Sequence, residues 1–310
     1  MSHLRTPVRE APRIYYVHPL QIGGLAAWIE VFDHAARLGF TDVLSAPLFK
    51  RGYAGSVFAA TDFDQADPAF GLGEPIEDVV ALLASEAKRR GLNFMLDLVL
   101  HPATPREPAY TLDPRVRPVD LGGSWPEFDE ELVARCVDEW RDRIDRLIAA
   151  GADGFRCVRL DLVPADVWDA LISGSAPRQD DQKPNFYAFT PGTDFTLRRD
   201  LSLRGFAGCF SSLAWWDLKE DWFQEEFRLQ QAFGLQIHFP EAPFAKRLAH
   251  GMDSREIRER RSLRALQVAG SLGGGLLIPM GFEFGASLPL DPTCGNGGGL
   301  RALRDGGSFD

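Results

Sequence analysis

Short apolar segments alternate with longer amphipathic segments along the whole chain, and this alternation occurs eight times. Residues 93–100 are almost continuously apolar, which is typical of parallel strands that are buried on both faces. Residues 130–150 have the periodicity of a helix that covers such a sheet on one side. The predicted strands end near His18, Ala46, Leu100, Val158, Phe189, Phe210, His238 and Met280. The repeat predicts an α/β protein of the (β/α)8 TIM-barrel type.

We expect one domain, because 310 residues with 45% hydrophobic content are enough to build a single large core. The pattern predicts an N-terminal arm over residues 1–12, a barrel over residues 13–285 and a Gly-rich, poorly ordered tail over residues 286–310, with room for at most one short closing helix. It also predicts a helix over residues 245–268 between the last two strands.

The charge and the cysteines exclude several classes of function. A net charge of −10 argues against nucleic acid or membrane as a partner, because both are bound through clustered positive charge. The arginines of residues 255–264 alternate with Glu256 and Glu259, which indicates a solvated helix face. Four widely spaced cysteines without a CxxC motif predict reduced thiols, no metal site and no cofactor. With no leader-like or membrane-spanning segment, a cytoplasmic location is expected.

Three short motifs lie in predicted strands or directly after them: DLVLH at residues 97–101, GFRC at residues 154–157 and FPE at residues 239–241. Together with their flanks they resemble signature regions of the alpha-amylase family of glycoside hydrolases (family thirteen), in particular its maltosyltransferase-like bacterial members. The resemblance covers nearly the whole chain. It implies a retaining mechanism with an aspartate nucleophile, a glutamate acid and a second, stabilising aspartate. Such chemistry needs two carboxyl groups about 5 Å apart.

The chain departs from the family at all three positions. Val158 stands at the nucleophile's position, Tyr187 at the acid's and Phe244 at the second aspartate's. Valine has no lone pair, and a phenol that titrates near pH ~10 is a poor replacement for a carboxylic acid. Loss of a nucleophile costs roughly 10⁴ to 10⁶ in rate in well-studied catalytic triads. We expect the three side chains to meet at the barrel mouth as a mostly apolar cluster.

These departures predict an alpha-amylase-family pseudoenzyme, a catalytically inactive barrel with a binding, regulatory or structural role in glucan metabolism. Its expected partner is a protein or a weakly bound alpha-glucan. The alternative is an active alpha-glucan hydrolase or glycosyltransferase that uses Asp161 and Glu241 as relocated carboxylates. A decayed or truncated gene product without a selected function is a third interpretation.

The polar residues of a residual site remain open to two interpretations each. Arg156 either contacts an anion or pairs with Asp97, and pairing is favoured because a buried unpaired guanidinium is costly. His101 either shuttles a proton or is an ordinary loop residue. The residual site predicted in this way contains Asp97, His101, Arg156, Asp161 and Glu241.

Two further features bear on carbohydrate binding. Trp215, Trp216 and Trp222 either stack on sugar rings or pack against the barrel, and their spacing favours packing. The family resemblance also implies a long excursion after the third strand and a C-terminal β-sandwich. Here the segment 101–128 is short, and we expect no such sandwich domain after the last strand.

Overall fold

Eight parallel strands form a closed barrel in the computed structural model, which describes residues 11–53, 55–100, 129–191, 195–252 and 254–309. The barrel order is β1-β2-β5-β6-β7-β8-β9-β10, and β10 pairs with β1 to close it; β3 and β4 form a separate antiparallel hairpin. The strands are β1 (Arg13–Val17), β2 (Asp42–Ser45), β3 (Phe49–Arg51), β4 (Ala60–Ala66), β5 (Asn93–Leu98), β6 (Gly154–Cys157), β7 (Asn185–Phe189), β8 (Gly208–Phe210), β9 (Leu235–His238) and β10 (Gly275–Pro279). The predicted (β/α)8 fold is confirmed.

Helices surround this barrel and follow its strands in turn. They are α1 (Pro19–Ile22), α2 (Leu25–Arg37), α3 (Ile76–Lys88), α4 (Glu130–Ala149), α5 (Ala165–Gly174), α6 (Phe195–Ser202), α7 (Trp222–Gln230), α8 (Arg255–Ser271) and α9 (Gly299–Asp305). Asp129 caps α4 by accepting a hydrogen bond of 2.8 Å from the backbone N–H of Leu132. None of the described helices has the length and apolar character needed to cross a membrane.

The helix predicted over residues 245–268 is wrong at its N-terminal end, because α8 begins only at Arg255. Gly251 has a φ of 68°, a left-handed conformation that interrupts a helix. Ser254 then caps α8 by accepting a hydrogen bond from the backbone N–H of Ile257. The apolar residues before Gly251 therefore belong to a turn-rich connection.

The core lies inside the barrel and between the barrel and its helices. Each of the helices α2, α4 and α5 contributes one buried tryptophan to this core, namely Trp28, Trp140 and Trp168. Burial of one large apolar side chain stabilises a fold by roughly 1.5–3 kcal/mol. Three of the four free cysteines are buried, and Cys294 is exposed.

Residues 286–309 pack against the barrel and do not extend from it as the predicted tail. Leu300 and Leu303 of α9 are buried, and α9 contacts α2. The Gly297 N–H donates to the carbonyl of Leu20 at 3.1 Å. A Cβ on Gly23 would lie 2.9 Å from the carbonyl oxygen of Gly297, so this close approach of two chain segments requires glycine. Some of the glycines that suggested a tail are therefore needed where two backbone segments lie in close contact.

Candidate functional site

A buried ion pair occupies the barrel interior, where the family resemblance places the catalytic groups. Arg156 of β6 donates from Nε to Asp97 Oδ1 and from a terminal nitrogen to Asp97 Oδ2, each at 2.6 Å. The hydroxyl of Tyr16 donates to Asp97 Oδ2 at 2.8 Å. All three residues are at most 1% exposed. The pairing of Arg156 with Asp97 that burial favoured is therefore present, and it is bidentate.

Three aromatic rings enclose the guanidinium of Arg156. Its central carbon lies 4.4 Å from the ring centroid of Tyr16, 4.9 Å from that of Phe189 and 5.5 Å from that of Phe210. Such cation–π contacts are stronger when water is excluded. We call this group of Asp97, Arg156, Tyr16, Phe189 and Phe210 the aromatic box.

Burial has the largest influence on the pKa values of Asp97 and Tyr16 in the aromatic box. Desolvation raises the pKa of Asp97, and the charge and hydrogen bonds of Arg156 act in the opposite direction. Desolvation also raises the pKa of Tyr16 well above its usual value, helped by the negative charge of Asp97. Tyr16 therefore stays a neutral hydrogen-bond donor to Asp97 at physiological pH.

The positions at which the family resemblance implies catalytic carboxylates lie close to this box. Val158 immediately follows β6, two residues after Arg156, is 0% exposed and donates its N–H to the carbonyl of Leu98 at 2.9 Å. Tyr187 pairs in register with Arg156 on the neighbouring strand, and its ring lies 6.3 Å from Phe210. No carboxylate is contributed by either position.

Phe244, after β9, packs edge-to-face on three aromatic rings. The ring centroids of Tyr16, His18 and Phe58 lie 6.0, 5.3 and 5.3 Å from that of Phe244. Phe244 therefore adjoins the aromatic box through Tyr16, as Tyr187 adjoins it through Phe210. Phe244 and Tyr187 thus both contact aromatic rings.

Asp161 and Glu241, the two acids of the alternative mechanism, each accept hydrogen bonds from a nearby arginine. Both oxygens of Asp161 accept hydrogen bonds of 2.8 Å from Arg159 in a surface turn. Glu241 is buried, and its oxygens accept from the guanidinium of Arg247 and from the backbone N–H of Leu248. His101, the remaining predicted site residue, lies outside the described residues.

Arg247 connects Glu241 to the C-terminal segment. Besides Glu241 it donates to the carbonyls of Met280 at 2.7 Å and Leu288 at 3.2 Å. The buried pair thus holds the segment after β10 against the connection that follows β9. Both carboxylate oxygens of Glu241 are therefore occupied by hydrogen bonds within the chain.

Sequence reasoning missed a contact between His18 and the C-terminal segment. His18 follows β1, and its Nε2 lies 2.7 Å from the carbonyl oxygen of Asp291, so this nitrogen carries the proton. Burial lowers the pKa of His18 to about 4. The Asp-Pro dipeptide at residues 291–292 is a turn signal that could have indicated an ordered loop here.

The tryptophans between β8 and the start of α7 pack against neighbouring aromatic residues. Trp215 lies edge-on to Phe239 at 5.6 Å, and Trp216 stacks on Phe223 at 4.7 Å. Trp222 meets the same Phe223 edge-on at 5.8 Å. Within the part of the chain that the structure describes, no group of three or more His, Cys, Asp or Glu residues is arranged to hold a metal ion.

The sequence and the fold both have known relatives. The chain is 32% identical to the alpha-1,4-glucan:maltose-1-phosphate maltosyltransferase of Burkholderia pseudomallei (strain K96243), in an alignment of 321 positions that covers 97% of the chain. It spans only 28% of that protein. No family model matches the chain.

Solved structures of similar fold include an alpha-amylase from Lactobacillus plantarum, with a TM-score of 0.65 and 19% identity, covering 91% of this chain and 74% of that one. A noncanonic maltogenic alpha-amylase from Thermotoga neapolitana gives a TM-score of 0.63 and 14% identity, covering 95% of this chain and 75% of that one. The homologue and the structural neighbours are enzymes of the alpha-amylase family, as the resemblance predicted, and the chain shares the (β/α)8 barrel fold of these neighbours. The chain is a homologue of part of the maltosyltransferase.

Proposed function

We propose that this barrel is an alpha-amylase-family pseudoenzyme with a binding, regulatory or structural role in glucan metabolism. The observation that carries the proposal is the complete burial of Val158 at the position where the family resemblance expects the nucleophile. A retaining glycosidase forms a bond from a carboxylate oxygen to the sugar, and valine has no atom that can form it.

The contacts within the aromatic box also support the proposal of a pseudoenzyme. Arg156 and Asp97 engage each other through two hydrogen bonds, and aromatic rings enclose the guanidinium. A glucose ring that entered this space would lose the hydration of its hydroxyl groups and would meet few free acceptors. An unsatisfied hydroxyl in such surroundings costs roughly 1–3 kcal/mol.

The contacts of Asp161 and Glu241 argue against the relocated mechanism. Retaining hydrolysis needs one ionised and one protonated carboxyl group, both directed at the scissile bond. Asp161 is held by Arg159 on the surface, and Glu241 is held by Arg247 in the interior. Each acid would have to break its ion pair before it could donate or accept a proton.

The experiment is a turnover assay on the purified full chain with maltooligosaccharides, and with maltose 1-phosphate as donor, because the homologue's name specifies that donor. The Burkholderia pseudomallei maltosyltransferase serves as the positive control. We expect neither phosphate nor reducing sugar to be released above background. Robust turnover that Asp161→Asn or Glu241→Gln abolishes, with the fold retained, would establish the relocated mechanism instead.

The interpretation as a decayed gene product makes a different prediction about folding. A chain without selected function accumulates destabilising substitutions, since most substitutions reduce stability. We expect a single cooperative thermal unfolding transition for this chain, followed by circular dichroism. A broad, non-cooperative transition would favour decay over the pseudoenzyme.

A further inference from the structure

Residues 288–297 run along one side of the barrel mouth, and we call this segment the strap. The strap connects the turn after β10 to α9, and it bonds to the loops that follow β9, β1 and β2. Together with β10, these are four consecutive strands of the eight-stranded barrel. The loops after the strands form the face at which the active sites of such barrels lie. The strap therefore borders half of the rim of the mouth.

Side chains from three loops of the rim hold the strap by its backbone carbonyls. In the order of the strap, the donors and their carbonyls are Arg247 and Leu288 at 3.2 Å, His18 and Asp291 at 2.7 Å, and Arg51 and Thr293 at 3.2 Å. Each of these bonds joins the strap to a different part of the rim. Breaking all of them releases the strap along its length.

Main-chain hydrogen bonds join the strap to the same loops. They run from the N–H of Leu290 to the carbonyl of Pro243 at 3.3 Å, from the N–H of Val57 to the carbonyl of Pro292 at 2.9 Å, and from the N–H of Gly297 to the carbonyl of Leu20 at 3.1 Å. An amide hydrogen that is bonded in this way exchanges with solvent when the bond opens, either locally or in global unfolding. These amides therefore report on the strap from both of its sides.

The strap has little apolar contact with the barrel. Leu290 is the one buried residue among residues 288–297, all of which the structure describes, and Pro292 is half-buried. The flanking segments are better anchored, since Phe284 before the strap and Leu300 after it are both buried. A segment that is held by hydrogen bonds and one leucine opens at a lower free energy than the core of the barrel.

The strap lies beside the aromatic residues around Phe244. Val57 and Pro243, which bond to the strap, directly precede Phe58 and Phe244 in the chain, and the rings of Phe58 and Phe244 are in contact. His18 bonds to the strap itself, is 0% exposed, and meets the ring of Phe244 edge-on at 5.3 Å. Departure of the strap would therefore uncover His18 first.

We propose that the strap opens as a unit while the barrel remains folded, and that this opening controls access to the barrel mouth beside His18 and Phe244. In the open state the chain stays attached at both ends, through Phe284 on one side and Leu300 on the other. The proposal concerns access to the mouth and not the chemistry within it. It therefore goes beyond the proposed function and applies to any ligand that enters from this side.

The first experiment measures amide hydrogen–deuterium exchange of the full chain at residue resolution. Leu290→Ala removes the apolar anchor of the strap, and Leu201→Ala makes the same change at a 0% exposed residue of α6. We expect Leu290→Ala to accelerate exchange at Val57 and Gly297 at least about tenfold. Leu201→Ala should leave these two rates unchanged, because a local opening does not depend on the stability of α6.

The amides of β5 are the control for this comparison, since they exchange through global unfolding. Both variants should accelerate them, which would show that Leu201→Ala does destabilise the barrel. Circular dichroism checks that the variants are folded. Leu290→Val is the milder replacement if Leu290→Ala does not fold, and we expect it to accelerate exchange at Val57 and Gly297 about threefold.

The second experiment measures acylation of His18 by diethyl pyrocarbonate, with the site mapped by peptide mass spectrometry. Because His18 is buried and bonded to the strap, the reagent reaches it in the open state. We expect Leu290→Ala to raise the rate at least about tenfold and Leu201→Ala to leave it unchanged. His238, which is also 0% exposed but stacks on Phe227 of α7, is the internal control and should react more slowly than His18.

Any one of three results would overturn the proposal. Equal exchange rates at Val57 and Gly297 in the two alanine variants would show that the strap has no opening of its own. Exchange of these amides as fast as in an unstructured peptide would show that the strap is not closed in solution. Faster exchange without faster acylation of His18 would show that opening does not uncover the mouth. None of these readouts measures glucan turnover, so failure here is distinguishable from failure of the pseudoenzyme proposal.

Discussion

Arg156 and Asp97 lie on adjacent barrel strands, and their side chains are joined by two hydrogen bonds of 2.6 Å in a fully buried setting. The family resemblance implies a carboxylate nucleophile two residues after this arginine. That position is Val158 here, and the ion pair is enclosed by aromatic rings. We therefore infer that the ion pair has a structural role.

Removal of one partner of the pair is expected to destabilise the fold. Arg156→Met leaves Asp97 buried without its cation, which typically costs about 3–5 kcal/mol in the free energy of unfolding. Urea denaturation followed by circular dichroism measures the loss. The double variant Arg156→Met with Asp97→Leu removes both charges, and we expect it to recover most of this loss. A single variant within about 0.5 kcal/mol of the unmodified chain, the range of ordinary surface substitutions, would refute the structural role.

Introduction of an aspartate at position 158 is expected to lower the free energy of unfolding. Val158→Asp buries a carboxylate two residues from Arg156, whose guanidinium is already paired with Asp97. We expect a loss of about 3 kcal/mol or more in the free energy of unfolding. Val158→Ala, the matched control, removes only methyl groups and is expected to cost about 1–3 kcal/mol. An aspartate variant as stable as the alanine variant would mean that this position is hydrated.

Two buried histidines predict a pH dependence of stability. Desolvation lowers the pKa of His18 and of His238 from 6.5 to about 4. Between these values the unfolded chain binds protons that the folded chain does not, so the free energy of unfolding decreases as the pH falls through this window. Each histidine contributes up to ~1.4 kcal/mol per pH unit. Urea denaturation at a series of pH values from about 7 to 4 measures the slope.

Conservative variants assign this slope to its source. Glutamine at position 18 can still donate to the carbonyl of Asp291, and asparagine at position 238 can still bond to the hydroxyl of Ser211, which lies 2.8 Å from His238 Nδ1. We expect His18→Gln and His238→Asn each to remove about half of the slope. An unchanged slope in both variants would place the titration in other groups.

Most of the fold could be predicted from the sequence. Strands of a parallel barrel are buried on both faces, so each strand is a nearly continuous apolar segment in the sequence. The start of α8 could not, since Ala245 and Leu248 continue the helical periodicity into a connection that Gly251 ends. The C-terminal segment was misinterpreted for a related reason. Its glycines permit a close backbone approach, as at Gly23 and Gly297, and composition does not distinguish this use from a flexible tail.

The candidate site was predictable only in part. The pairing of Arg156 with Asp97 follows from the rule that a buried guanidinium needs an anion. The three rings that enclose Arg156 could not be chosen in advance, because barrel closure brings Tyr16 of the first strand and Phe210 of the sixth barrel strand to the same guanidinium.

The most direct test of the central claim is intact-protein mass spectrometry after incubation with a mechanism-based inhibitor of retaining α-glucosidases. Such an inhibitor reports a positioned carboxylate nucleophile independently of how well the natural substrate binds. We predict that the mass of the chain remains unchanged, while the maltosyltransferase homologue gains the mass of one adduct. A stoichiometric adduct on this chain, mapped by peptide sequencing to Asp161 or Glu241, would contradict the account.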